Sequence, residues 1–331
     1  MTTEPLAVSA VTVLVADAVA APSLGNAQPW AFRYLRDTGV LRLYADLERA
    51  LAHADPETRG LHLGCGAALL NLRVSAAAAG LAPDVRLLPD PAHPELLAEV
   101  RLSGTGSPDD ALAALHPAIA RRHSSRFPYR DEDIPADVRE RLAEAARAEG
   151  AQLVLPGVWH VQSILDLVRD AEGREASDPA WRAESERWTR MRPAAPDAAG
   201  PSDGIPAEAF GPRQQGASVP VRDFAGGRPV PGRGRAVFEK NPHIALLGTV
   251  EDGPVDRLCA GQALERVLLR ATTDGLVASL TSQPLEWSEI RWAVRDPLSA
   301  MAYVQMVLRL GYGPEGPASP RRPVADVLDV V

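Results

Sequence analysis

Two runs rich in alanine and leucine, 195 residues apart, constrain this 331-residue chain more than any other feature. The first spans about Pro56 to Ala79 and stops at Gly80; the second spans about Asp256 to Thr273 and stops near Gly275. Long apolar runs closed by glycine predict helices. A shift of 195 positions places Leu63 on Leu258, Gly66 on Gly261, Ala68 on Ala263 and Leu69 on Leu264. It continues with Ala76 on Ala271, Gly80 on Gly275 and Leu81 on Leu276, seven identities in nineteen positions. Ala/Leu-rich helices match easily by chance, but each run also follows one strand and precedes another. That order favours an internal duplication.

The remaining elements fit two halves. A helix is expected over Leu6 to Ala21, and Ala31–Arg36 with Val40–Ala45 form a hairpin around Asp37–Gly39. Short strands follow at Val85–Leu88 and Leu96–Leu102, then a Gly/Ser/Pro/Asp joint at Ser103–Asp110. Helices are expected at Ala111–Arg122, Ala136–Glu149 and Val161–Glu172, with strands at Gln152–Leu155, His243–Val250 and Tyr303–Arg309. The stretch from Ala176 to Arg235 is rich in Pro, Gly, Arg and Asp, with Trp181 and Trp188 in a short helix. So long an irregular insertion is a lid, a binding loop or a linker, and its aromatic content favours an ordered cover. The expected class is α+β: two sheets or half-sheets related by a pseudo-twofold, with the long helices packed centrally. The halves are residues 1–105 and 106–331, the second carrying the insertion at about 176–235.

Charge and cysteine usage narrow the function. A net charge of −8 argues against a dedicated nucleic-acid binder. Cys65 and Cys259 are isolated and lack metal-ligand spacing, which suggests buried thiols in a reducing compartment. No basic region precedes the N-terminal apolar stretch, and no uninterrupted apolar run approaches the ~18 residues of a membrane span. The expectation is a cytoplasmic protein. The seven histidines are scattered without metal spacing or a nucleophile partner, and neither a Walker loop nor a Gly-x-Gly-x-x-Gly fingerprint occurs.

Four segments carry candidate chemistry. Pro22-Ser23-Leu24-Gly25-Asn26-Ala27-Gln28-Pro29-Trp30 lies between a helix and a strand. Its Ser23, Asn26 and Gln28 suit the edge of a planar heterocycle, or they form an ordinary helix-terminal turn. Arg121-Arg122-His123-Ser124-Ser125-Arg126 offers three guanidiniums and two hydroxyls, either a phosphate cradle or a solvated basic helix end. Asp274-Gly275-Leu276-Val277-Ala278 ends the second long helix, where glycine lets backbone amides approach a ligand. Arg321-Arg322-Pro323 is a second phosphate candidate, or an exposed basic pair.

Taken in order, these segments resemble the FMN-dependent nitroreductase family. The family's Pro-Ser-x-x-Asn-x-Gln-Pro-Trp loop is matched by Pro22, Ser23, Asn26, Gln28, Pro29 and Trp30; its subunit start resembles Ile119–Arg126. Its Gly-Leu/Ile turn resembles Gly275-Leu276, and its basic C-terminal segment resembles Gly311–Pro323. In the family, two subunits supply the parts of one flavin pocket. Here the Asn-containing loop lies in the first half and the arginine cluster in the second, an arrangement similar to the fused, lidded Acg-type members. The segment Ser202–Pro206, preceded by Trp188, stands where such a lid would be. The resemblance implies one chain imitating the family dimer, with one FMN between its halves. It also implies NAD(P)H as a candidate electron donor and a small oxidised organic molecule as substrate. Arg121, Arg122, Arg321 and Arg322 would address phosphate, with Ser124 and Arg126 beside them. Pro22, Ser23, Asn26 and Gln28 would hold the pyrimidine edge of the ring. Backbone near Gly275, Leu276 and Ala278 would approach flavin N5 or O4. A lid that sealed the pocket would imply instead a flavin-binding or storage protein.

Overall fold

The two alanine-rich helices form the centre of the molecule. The structure is a computed structural model describing residues 5–102, 107, 109–191, 202–216 and 219–331. Helices Arg59–Ala78 and Pro254–Thr273 pack directly on one another and are buried along most of their length. They meet at Gly66 and Gly261: the Gly261 Cα lies 3.0 Å from where a Cβ on Gly66 would stand, and the Gly66 Cα 2.9 Å from that of Gly261. Such a Cβ would also collide with the Leu258 carbonyl oxygen in one direction and the Leu63 carbonyl oxygen in the other. Each side mirrors the other, as in contacts across a twofold axis. Arg59–Ala78 is long and apolar enough to cross a bilayer by length and composition, yet 83% of its apolar window is buried within the protein.

Each helix carries a sheet. On the first pack five strands in the spatial order Leu328–Val330, Trp30–Leu35, Val40–Ala45, Leu96–Arg101 and Asp84–Leu87. The expected hairpin is present, with Trp30 opposite Ala45 and Leu35 opposite Val40. Alternation along Trp30–Leu35 sends Trp30, Phe32 and Tyr34 into the core with Leu69 and Leu72. On the second helix pack Val277–Thr281, Tyr303–Gly311, His243–Thr249 and Gln152–Val154, all antiparallel. Leu142, Leu264, Leu268 and Leu308 fill that core. The α+β class and the central helix pair are as expected.

Two expectations need correction. The helix expected over Ala111–Arg122 is two short ones, Asp110–Ala113 and His116–Ile119. Pro117 has no N–H to continue the first, so Arg121–Arg126 lies on an extended turn and not at the end of a long helix. Beyond Tyr303–Arg309, the last strand expected from the sequence, the chain forms one more strand at its C-terminus. Leu328–Val330 pairs in parallel with Trp30–Leu35 and so returns the C-terminus to the first sheet. Residues 103–106 and 108 of the expected joint, with 192–201 and 217–218 of the insertion, lie outside the described residues.

Candidate functional site

The loop after the first helix, Val8–Ala18, is held in an unusual backbone. Gly25, Asn26 and Gln28 have φ of 61°, 54° and 54°, the left-handed region that favours glycine and tolerates asparagine. Two helix glycines seat this loop: a Cβ on Gly60 would stand 3.1 Å from Leu24 Cδ2, and one on Gly64 3.2 Å from Ser23 Cβ. Ser23 Oγ accepts from the Gln28 N–H at 2.9 Å and closes the turn. Strained backbone of this kind persists where surrounding structure over-determines it, commonly at ligand sites.

Opposite stands the arginine turn. The Ser125 N–H donates to the Ala278 carbonyl at 2.8 Å, and Ser124 bridges to Ala278, so the turn is fastened to the strand after Gly275. The Ser125 hydroxyl donates to the Pro314 carbonyl at 2.7 Å and fastens the C-terminal tail beside it. Arg122 is buried; its Nη2 donates to the Ala20 carbonyl at 2.9 Å, and its Nε lies 3.2 Å from Glu265 Oε1. Arg321 donates to the same Ala20 carbonyl at 3.0 Å and to Asn26 Oδ1 at 3.0 Å. One carbonyl at the end of the first-half helix thus gathers guanidiniums from two distant parts of the chain. Burial, and then the neighbouring Arg122, push the pKa of Arg321 down to about 9. Arg126 donates to the Ala209 carbonyl at 2.9 Å and lies 4.8 Å from the Phe224 ring. Burial first of all lowers its pKa to about 10. Among the described residues neither Arg126 nor Arg321 has a carboxylate partner, an arrangement suited to an external anion.

These walls line an open cleft beside the two central helices. Pro22, Ser23, Asn26, Arg122, Ser124, Arg126 and Arg321 all line it. Arg121, Gly275, Leu276 and Ala278 line an adjoining hollow that shares Arg122, His123 and Ser124 with the cleft. Arg121 is half-exposed and faces Glu315 at 3.8 Å. Gln28 and Arg322 line neither. The Gln28 amide donates to the Ser202 carbonyl at 2.8 Å and accepts from the Arg322 N–H at 2.8 Å. The Arg322 side chain donates to the Gln28, Trp30 and Asp326 carbonyls and to Asp46. Both residues fasten the tail to the loop.

Three cleft residues come from the insertion: Ile205, Arg222 and Phe224. The insertion docks against the Pro22–Trp30 loop and the turn around Arg49. Asn26 Nδ2 donates to the Gly204 carbonyl at 2.9 Å, and Asp203 pairs with Arg49 at 2.8 Å. Trp188 packs against Gly25, where a Cβ would come within 3.2 Å. Burial works against the charge of Arg222, but Glu286 and Glu175, at 2.8 and 2.7 Å, hold its pKa above the ordinary value. Arg59 and Gln283 also line the cleft and went unnoticed in the sequence. Arg59 sits in the first turn of its helix, where a cation opposes the macrodipole; that misplacement is the signal it offered. Its pKa is lowered to about 10, by burial and then by Arg291.

No protein-family model matches the sequence. The chain is 32% identical over 321 residues to the Mycobacterium tuberculosis protein named "Putative NAD(P)H nitroreductase Rv3131", covering 94% of this chain and 89% of that one. The chain belongs to the nitroreductase family. A second M. tuberculosis member, "Putative NAD(P)H nitroreductase acg", is 28% identical, with 94% of this chain and 92% of that one covered. Among solved structures, a nitroreductase of Anabaena variabilis superposes with a TM-score of 0.49 at 12% identity, over 92% of this chain and 88% of that one. The nitroreductase of Bacteroides fragilis with bound FMN gives a TM-score of 0.36 at 16% identity, over 63% of this chain and 92% of that one.

Proposed function

We propose that this nitroreductase-family chain binds one FMN in the cleft between its halves and acts as an NAD(P)H-dependent oxidoreductase on a small oxidised organic molecule. The observation that carries this reading is the pair of guanidiniums, buried Arg122 and part-buried Arg321, converging on the Ala20 carbonyl from two distant segments. Glu265 offsets one of these two charges at Arg122; Arg321 has no carboxylate partner among the described residues, and a phosphate monoester supplies the second anion. Further polar atoms fit a bound heterocycle: the buried Arg321 Nε and Gln283 Oε1 have no hydrogen-bond partner among the described residues.

In this reading Arg122 and Arg321 hold the phosphate, with Ser124 alongside. Ser23 and Arg126 address the ring edge, Asn26 holds Arg321 in place, and the insertion, through Ile205 and Phe224, keeps water from the reacting face. When bound, FMN supplies two-electron redox chemistry between a reduced nicotinamide and the substrate. The chain's own contribution is to bind, orient and exclude water, and no side chain is required as acid or base.

Fluorescence titration of flavin-free protein with FMN and with riboflavin tests the assignment. Charge-assisted bonds contribute about 1.5–3 kcal/mol each. FMN should therefore bind at least about 100-fold more tightly than riboflavin. Equal affinity would remove the phosphate role of Arg122 and Arg321.

A further inference from the structure

Glu265 stands directly beneath the arginine pair, on the second long helix, with no exposed surface. Its Oε1 is 3.2 Å from Arg122 Nε, and neither oxygen has a hydrogen bond of good geometry among the described residues. In the 195-residue register its counterpart on the first helix is Leu70, buried among Leu112, Ile119 and Leu269. Helix packing therefore does not require a charge at this position. The carboxylate occurs only on the side that supplies Arg122.

Resting on the FMN reading above, we propose that Glu265 is a positioning residue for the phosphate site. Ionised, it holds Arg122 in the unliganded protein; when a phosphate monoester engages Arg122 and Arg321, it takes up one proton from solvent. The step is −COO⁻ + H⁺ → −COOH, with no bond to the ligand and no electron transfer. Its cause is electrostatic. The arriving anion competes for Arg122, which is the only ion-pair partner of Glu265 among the described residues, and adds negative charge nearby. The carboxyl is already pushed up to about 7, by burial first and against the pull of Arg122, the Asn71 amide and Arg321.

The groups around Glu265 keep its signal separable. The tail contributes Arg321, and the arginine turn contributes Arg122 and His123. Burial, then Arg122 and Arg321, lower the His123 pKa, so its ring is neutral above pH 7. From the first helix come Asn71, which is neutral, and Arg73, which is held by Glu149 and Gln262. On its own helix, Arg266 is also held by Glu149. Asp17 and His116 pair beyond Asn71, and Arg121 faces Glu315. The ligand's own second phosphate ionisation lies near pH 6.

Ligand binding raises the Glu265 pKa, so the contribution to affinity is present at pH 7 and is lost as pH rises towards the higher, bound-state pKa. Wild-type Kd for FMN should therefore rise between pH 7 and 8.5, with a slope approaching tenfold per unit. In Glu265→Gln the rise over the same range should be much shallower, confined to the onset of Arg321 deprotonation near its pKa of about 9, since the amide mimics the protonated acid. Parallel profiles in both proteins would overturn the proposal. Should the variant fail to fold, calorimetry of wild type in two buffers of different ionisation enthalpy counts protons directly; close to one taken up at pH 8 is expected, and none would overturn it. FMN binding without proton uptake rejects this inference alone, whereas no FMN binding rejects the functional reading as well.

Discussion

Gly66 and Gly261 face each other across the crossing of the two central helices, the Cα of each 2.9–3.0 Å from where the other's Cβ would stand. Their neighbours reciprocate, the Leu63 carbonyl against Gly261 and the Leu258 carbonyl against Gly66. The obstacles are backbone, so neither can give way by a rotamer change. Gly66→Ala or Gly261→Ala should each destabilise by about 1–3 kcal/mol, the ordinary cost of overpacking. The double variant should cost less than the sum, because one separation of the helices relieves both clashes. Urea denaturation of the four proteins measures this; strict additivity would contradict the reciprocal contact.

Arg321 and Arg322 are adjacent in sequence and opposite in role. Arg321→Gln should weaken FMN binding by about 10- to 100-fold, the loss of one charge-assisted contact, and lower the melting temperature less than Arg322→Gln does. Arg322→Gln should do the reverse, since its side chain serves Gln28, Trp30 and Asp46. Flavin titration and thermal melts, run on both variants, separate the two.

Asn26 couples the loop, the insertion and the tail. Its amide donates to the Gly204 and Pro320 carbonyls while its oxygen accepts from Arg321. Asn26→Gly keeps the left-handed backbone and deletes these bonds. It should speed amide exchange at Gly204 and Ile205 and weaken FMN binding, leaving the two sheets protected. Unchanged exchange at Gly204 would show that the insertion docks by other contacts.

Glu265 also predicts the pH dependence of stability. Burial raises its folded pKa to about 7, above the ordinary glutamate value near 4.3. Its contribution is therefore full at pH 4 and is lost as pH rises through 7. Urea midpoints of flavin-free protein should show a smaller decline between pH 5 and 8 in Glu265→Gln than in wild type. Equal declines would place the titration elsewhere.

Much of this was legible in the sequence, for identifiable reasons. The register that pairs Gly66 with Gly261 and Leu63 with Leu258 is the register of the helix crossing itself. Repetition and burial write the same pattern into composition. The Ser23–Asn26 loop and the Arg122–Arg126 turn were recognisable because their residue types are unusual together. The direction of a side chain was not. Gln28 has the right chemistry for a ligand edge, but it turns to the Ser202 carbonyl and the Arg322 N–H. The strand Leu328–Val330 has only three residues, and partnership with Trp30–Leu35 defines it; no local periodicity marks it. Arg222 and Phe224 lie in a stretch without periodicity, and only tertiary packing brings them to the cleft.

The account's central claim is tested most directly by the absorbance spectrum of the purified protein after incubation with FMN and removal of unbound flavin, followed by anaerobic addition of NADPH or NADH. The account predicts one bound flavin per chain, with a visible absorbance band that bleaches on addition of the reduced nicotinamide. A colourless protein would contradict the FMN site itself. A bound flavin that dithionite bleaches and nicotinamides do not would contradict the proposed NAD(P)H-dependent turnover and leave the site standing.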